Sequence, residues 1–360
     1  MRERAISFNV GPSELFPTVA GYLETAIRDR VGSINHRSEE YKAIDRSTKD
    51  ALRELLEIPR EYQIFFVSSG TEAMERVIQN CVDIHSFHFV NGEFGDRFYQ
   101  QAVALGKNAQ KKSADPGFSF DLKQTVVLPH VELVCFTGNE TSTGVWLPEK
   151  DIAQVKKANP KAFVAVDIVS AVPYVDLDYS SVDCAFFSVQ KGFGLPSGLG
   201  VIVVSPQAID KSAELKKSGL YTGGYHSFTE LARYAERNQT PETPNVLGIY
   251  LLGKVSQDMI RIGIDRIRKD TETKAGIGYD FATGSVGFGP FVQNPFDRSM
   301  TTLVFKVDGG SKEMIERLNE NGVEVSSGYG QFRDKHIRIG NFPAHRVEDM
   351  EGLVNHLRRL

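Results

Sequence analysis

Residues 63–68 read QIFFVS, and residues 69–71 follow as SGT. An apolar run of that length, bounded by small polar residues, predicts a buried strand. Beyond it Met74, Val77, Ile78, Cys81 and Val82 recur at helical spacing, which predicts an amphipathic helix. The same alternation continues outward. Residues 86–90, 131–136, 162–166, 183–188 and 199–204 read as strands, and 95–105 and 151–158 as helices, the latter closed by Asn159-Pro160. Strands alternating with helices predict an α/β fold with a mainly parallel sheet covered by helices on both faces. The texture changes after residue 244. Residues 245–268 form one long helical pattern carrying Val246, Ile249, Leu252 and Val255. Strands are expected at 301–307, 323–326 and 336–339, a helix at 312–321 ended by Gly322, and a closing helix at 346–360. The expected division is a large unit over 14–244 and a smaller α+β unit over 245–360, with segment 1–13 packing near the latter.

Composition narrows the function. The 360 residues carry 42 Lys+Arg against 46 Asp+Glu, a net charge of −4, which lacks the electrostatic footprint of a general nucleic-acid binder. Hydrophobic content of 41% with 24% charged residues supports a folded core and excludes a disordered chain. The longest apolar runs, 162–166 and 201–204, are strand-sized and far short of a membrane span. Residues 1–11 (MRERAISFNVG) have no apolar region of a secretory leader. Cys81, Cys135 and Cys184 are odd in number and widely spaced, so reduced buried thiols in a cytoplasmic protein are expected.

Three sites carry chemistry. Lys191, in SVQKGFG (188–194), follows a predicted buried strand. A lysine desolvated there can lose its proton and form a Schiff base with a carbonyl; the other reading is a loop lysine in solvent. Asp167 directly follows the apolar run 162–166, at a strand's carboxyl end where parallel sheets bind ligands. It can hold a pyridinium nitrogen protonated or serve as a helix N-cap. Ser68-Ser69-Gly70-Thr71 lies between a strand and a helix, where free N–H groups and the helix dipole favour phosphate. The nucleotide fingerprints GxxxxGK[ST] and a well-placed GxGxxG are missing.

The order SSGT (68–71), NETSTG (139–144), VDIVS (166–170) and SVQKG (188–192) resembles the fold-type I, class V aminotransferases dependent on pyridoxal 5'-phosphate, and among them the phosphoserine aminotransferases. The resemblance covers nearly the whole chain. It implies that Lys191 is the Schiff-base lysine and Asp167 the partner of the pyridine nitrogen. Gln190 with the Gly70-Thr71 backbone would form the phosphate cup, Thr141 would lie beside the ring's hydroxyl edge, and Phe94 in GEFG (92–95) would stack on the ring. Thr243, in QTPETPN (239–245), matches a threonine that reaches the phosphate from a second subunit; Thr240 competes for that role. His36-Arg37 matches a pair that binds the substrate phosphate with a partner-chain contribution. Arg338, in IRIGNFPAH (337–345), matches the clamp on the α-carboxylate, a role suited to the guanidinium fork. A homodimer with shared sites, acting on small amino and keto acids, follows from these matches. The implied reaction joins L-glutamate and 3-phosphonooxypyruvate to 2-oxoglutarate and O-phospho-L-serine.

Departures keep a rival open. Glu242 stands where relatives often have Asn, and Thr71-Glu72 where some phosphoserine enzymes have an arginine. TSTG and FGDR (94–97) also occur in alanine– and serine–glyoxylate aminotransferases. A cysteine desulfurase would need a mobile nucleophilic cysteine. The HxxH of His85 and His88 falls on a strand, which places the two on opposite faces, so no metal site is expected. His226, in TGGYHS (222–227), is either a substrate contact or a solvent-facing loop residue, and Trp146 reads as packing.

Overall fold

The computed structural model describes residues 6–122 and 125–360; residues 1–5 of the N-terminal segment lie outside the described residues. The centre is a seven-stranded sheet. Its spatial order is β2 (Gln63–Val67), β10 (Gly200–Val204), β9 (Cys184–Ser188), β8 (Phe163–Asp167), β5 (Leu133–Thr137), β3 (His85–Val90) and β4 (Asn108–Ser113). Strand β10 runs antiparallel to both neighbours, and every other pair is parallel. The expected mainly parallel sheet therefore carries one reversed strand.

Strand periodicity of two divides the apolar residues between two cores. Ile64, Phe66, Val164, Val166, Val201 and Val203 point into one. That core is covered by α1 (Val19–Arg28), α2 (Glu39–Leu55), α5 (Glu149–Ala158) and α8 (Val246–Ile262). Phe65, Val67, Ala165, Ile202 and Val204 point into the other. It is covered by α3 (Gly70–Cys81), α4 (Glu93–Ala104), α6 (Pro206–Lys217) and α7 (Phe228–Ala235). Each large side chain buried this way contributes about 1.5–3 kcal/mol. Helix α3 starts where it does because the Ser69 hydroxyl accepts from the Glu72 N–H at 3.1 Å, while the Glu72 carboxylate takes the Ser68 N–H at 2.8 Å.

A second, five-stranded sheet has the order β1 (Ile6–Phe8), β13 (Val323–Ser327), β14 (His336–Gly340), β12 (Thr302–Val307) and β11 (Phe288–Pro290). Strand β1 pairs in parallel with β13, Ile6 opposite Val323. Helices α9 (Ile264–Gly284), α10 (Lys312–Glu320) and α11 (Val347–Leu357) accompany this sheet. Phe8, Phe281, Leu303, Phe305, Ile339 and Leu353 share its core. A short ribbon of β6 (Asn139–Glu140) and β7 (Val145–Trp146) presents the turn between them.

Two expectations need correction. The single helix over 245–268 is two, because Gly263 adopts φ +91°, a left-handed value open to glycine. The packing also does not divide at 244. Helix α8 buries Ile249, Leu252 and Val255 in the core of the large sheet, and α9 runs from that core (Ile267) into the third (Ala275, Phe281). Among the described residues no helix is long and apolar enough to cross a membrane.

Lys274 joins α9 to the turn after β14. It is buried, and its Nζ donates to the carbonyls of Phe342 at 2.9 Å and His345 at 2.8 Å. Lys274→Met keeps the packing but removes a buried donor from two carbonyls, of which Phe342 keeps only the His345 N–H. A loss of about 1–3 kcal/mol is expected in urea titration, and an unchanged midpoint would contradict this role.

Candidate active site

Strands β8 and β9 are parallel neighbours, so their carboxyl ends open side by side. A pocket of about 250 Å³ lies across those ends, between the starts of α3 and α4 and the edge of the smaller sheet. It is lined by Gly70, Thr71, Phe94, Thr141, Asp167, Gln190, Lys191 and Arg338, so the structure brings together eight of the residues singled out in the sequence.

Lys191 is 8% exposed, which excludes the solvent-loop reading. Burial lowers its ammonium pKa to about 8, against the opposing pull of Asp167 and Glu140. Its Nζ lies 5.1 Å from the Phe94 ring centroid. The N-terminal segment fixes the lysine turn from outside. Ser13 N–H donates to the Gln190 carbonyl at 2.9 Å, and Ser13 Oγ to the Lys191 carbonyl at 2.9 Å. Gly11 lies so close that an added Cβ would meet Lys191 Cε at 2.8 Å.

Asp167 ends β8 and is buried. Its Oδ1 accepts the Val169 N–H at 2.8 Å, a local turn contact in place of a helix cap, and the residue lines the pocket. Burial pushes the carboxyl up from 3.8 to about 7; the Val169 N–H and Lys191 act against the shift. Asp167 and Lys191 sense each other's charge yet form no ion pair. The gap between them is the space of the pocket.

At the start of α3, Gly70 N–H donates to Ser188 Oγ at 2.6 Å, and Thr71 and Gln190 line the same wall. Phe94 is aimed by a buried carboxylate. Glu140 accepts from the N–H groups of Phe94 (3.0 Å), Gly95 (2.9 Å) and Ser142 (3.0 Å) and from Ser142 Oγ (2.6 Å). Burial still raises its pKa, with those donors opposing. Arg338 is 8% exposed on β14; its Nε donates to the Ser327 carbonyl at 2.8 Å and Nη1 to the Thr141 carbonyl at 3.1 Å. Burial lowers its pKa to about 10, and no carboxylate pairs with it among the described residues. The rest of its fork is open to a ligand carboxylate.

His36, Arg37 and Thr243 do not reach this chain's pocket. Arg37 instead holds the 239–241 run, donating to the carbonyls of Thr240 at 2.7 Å and Pro241 at 3.2 Å. Burial lowers the His36 pKa, helped by Arg37. Thr243 is exposed on this surface, whereas Thr240 is buried and donates to the Glu242 carbonyl at 2.8 Å. The Glu242 side chain is half-buried and its pKa is raised by burial. His226 is not a free loop residue, since its Nδ1 lies 2.9 Å from the Glu72 carboxylate, and it does not line this chain's pocket. His88 is buried against Ser86 and its pKa falls to about 3 through burial; among the described residues no side-chain group could hold a metal ion. Trp146 packs edge-on to Tyr174. All three cysteines are free and buried, which removes the exposed nucleophile a desulfurase needs.

Arg97, Tyr329, Val10 and Gly11 also line the pocket and carry no role in the sequence reading. Arg97 had a signal, since it lies three residues after Phe94 on one helix face. Tyr329 had none, lying in a loop with no motif.

The family model described as "Aminotransferase class-V" matches residues 8–332. The chain belongs to the class-V aminotransferases. It is 42% identical to a phosphoserine aminotransferase of Cytophaga hutchinsonii, with a TM-score of 0.97 and coverage of 99% of this chain and 98% of that one. A curated phosphoserine aminotransferase of Rhodococcus opacus is 28% identical over 96% of this chain and 92% of its own length. The alanine–glyoxylate aminotransferase of Nostoc sp. shares the fold, with TM-score 0.86 and 23% identity over 100% of this chain and 96% of that one.

The cofactor of this family is pyridoxal 5'-phosphate, and the residues fit it. The helix start with Gly70, Thr71 and Gln190 suits its phosphate, the Phe94 ring a flat face, the buried Asp167 carboxyl a protonated pyridine nitrogen, and the unpaired Lys191 Nζ its aldehyde. Borohydride reduction of the loaded protein should label Lys191, and a label on another lysine would overturn the assignment.

Asp167 gives a pH signature. Between about pH 4 and 7 the folded, cofactor-free chain retains a proton on Asp167 that the unfolded chain has lost, so stability falls as pH rises through this window. Asp167→Asn should remove that fall, worth on the order of 4 kcal/mol at most, and should lower kcat about a hundredfold or more. Urea titrations across pH check the first, and parallel curves for the two proteins would reject it.

Proposed function

We propose that the protein is a cytoplasmic, homodimeric phosphoserine aminotransferase of serine biosynthesis. It would move the amino group of L-glutamate to 3-phosphonooxypyruvate, releasing 2-oxoglutarate and O-phospho-L-serine. The observation that carries this reading is the 42% identity to the Cytophaga hutchinsonii phosphoserine aminotransferase across 99% of this chain. The glyoxylate-using neighbours from Nostoc sp. and Bacillus subtilis reach 23% and 20% and speak to the fold alone.

Pyridoxal phosphate supplies the electron sink that makes the substrate's Cα–H acidic. The chain's residues do the rest. Arg338 takes the α-carboxylate on the free edge of its fork, which orients Cα toward Lys191. Lys191, its ammonium pKa lowered to about 8 by burial, would take the Cα proton as general base. Asp167 holds the pyridine nitrogen protonated. Glu140, through the Phe94 and Gly95 N–H groups, keeps the stacking ring in place.

The surface formed by Arg37, the 239–241 run and exposed Thr243 supports a dimer. Arg37 already grips the run that leads to Thr243, so both would reach a second copy's pocket together. The buried Thr240 is the weaker candidate for this reach.

Assays of the loaded enzyme with 3-phosphonooxypyruvate and glyoxylate test the acceptor. Phosphonooxypyruvate is expected to win by at least about tenfold in kcat/KM; preference for glyoxylate would favour the alanine– or serine–glyoxylate reading. Arg37→Ala should raise KM for phosphoserine about ten- to a hundredfold while sparing glutamate. Mixing Lys191→Ala with Thr243→Ala chains should restore activity, and an active monomer in sedimentation would contradict the dimer.

A further inference from the structure

We propose that Arg97 is a substrate-binding residue that holds the distal anion of a doubly negative amino-acid substrate, from the same chain that supplies Lys191. Arg97 lies on α4 one turn beyond Phe94 and lines the pocket together with Arg338. Its guanidinium carbon is 5.1 Å from the Phe94 ring centroid, and its Nη2 lies 3.5 Å from the Tyr329 hydroxyl, at the limit of a hydrogen bond. Tyr329 in turn lies 5.8 Å from the Phe94 ring and 5.2 Å from the Arg338 guanidinium. An aromatic pair thus separates two guanidiniums, one brought by a helix of the large sheet and the other by a strand of the small one.

Neither arginine has a carboxylate partner among the described residues. The nearby acids are committed elsewhere: Asp96 pairs with Lys111 at 2.7 Å, and Glu140 is held by four donors. A buried and a half-buried cation, neither paired with a carboxylate, share one pocket, repel each other and are poorly hydrated, a state that a ligand with two anions relieves. The start of α3 already provides for the cofactor phosphate at another wall, so Arg97 is left for substrate. With the α-carboxylate on Arg338, the second anion of glutamate, its γ-carboxylate, falls to Arg97. This goes one step past the proposed reaction, from which it takes only that the substrates are dianionic. It assigns the carboxylate-bearing donor to Arg97 and leaves the phosphate-specific contact to Arg37.

The test uses the loaded enzyme and two ligands that differ in one charge, glutarate and pentanoate, titrated by calorimetry. Arg97→Met should weaken glutarate about ten- to a hundredfold and leave pentanoate within about twofold. In single-turnover assays glutamate should lose kcat/KM by a similar factor, mostly through KM, with alanine unchanged. Equal weakening of both ligands, unchanged glutarate binding, or a matching loss of cofactor retention would each overturn the proposal. Should the Met protein fail to fold, Arg97→Lys keeps the charge without the fork. It should show a smaller, glutarate-selective loss, and no loss or an equal loss of both ligands would again overturn it. A wild-type enzyme that prefers glyoxylate as acceptor yet shows the Arg97-dependent glutarate selectivity would sink the phosphoserine reading alone.

Discussion

The site depends on two buried opposite charges that are kept from meeting. A lysine and an aspartate in one apolar setting would ordinarily close on each other, since the pair offsets part of the desolvation each suffers. Here the sheet forbids it. Asp167 is fixed at the end of β8 with one oxygen tied to the Val169 N–H. Lys191 is carried past the end of β9 and braced from the far side by Gly11 and Ser13. The pKa of each is displaced toward its neutral form as a result. A planar cationic ring with an electrophilic carbon would satisfy both ends of that slot, so the same two residues would set cofactor position and cofactor electronics.

The large sheet was legible because its strands are buried on both faces and therefore apolar throughout. Runs such as Ile64–Val67 and Gly200–Val204 feed two cores at once. What escaped the reading fails that condition. Strand β4 (NAQKKS) is a polar edge strand, paired on one side only. Helix α2 buries Asp45, Thr48 and Lys49 beside Tyr41 and Leu52, so its inward face shows no apolar stripe. Gly263 was visible in the sequence, yet a single glycine inside a periodic stretch does not announce a positive φ.

The site divides along similar lines. Lys191, Asp167, Gly70 and Gln190 sit at strand ends or a helix start, where local sequence fixes their place, and they converge. Glu140 was read within a motif but not as the anchor of α4, because its four donors come from two separate segments. Tyr329 approaches Phe94 only through the docking of the small sheet against the large one, and no local pattern encodes such an approach. Arg37 and Thr243 are exposed and away from the pocket lining, so nothing local ties them to the site.

The pairing of β1 with β13 has a consequence for how the chain matures. Val10 bonds to Ser326 and Ser326 to Asn9 across 316 and 317 residues. The segment that braces Lys191 is thus made some 316 residues before the strand it pairs with and has to wait for it. At ordinary synthesis speeds of about 5–20 residues per second that delay is roughly fifteen seconds to a minute. The wall behind Lys191 is therefore tied at once to the large sheet through Ser13 and to the smaller sheet through β1.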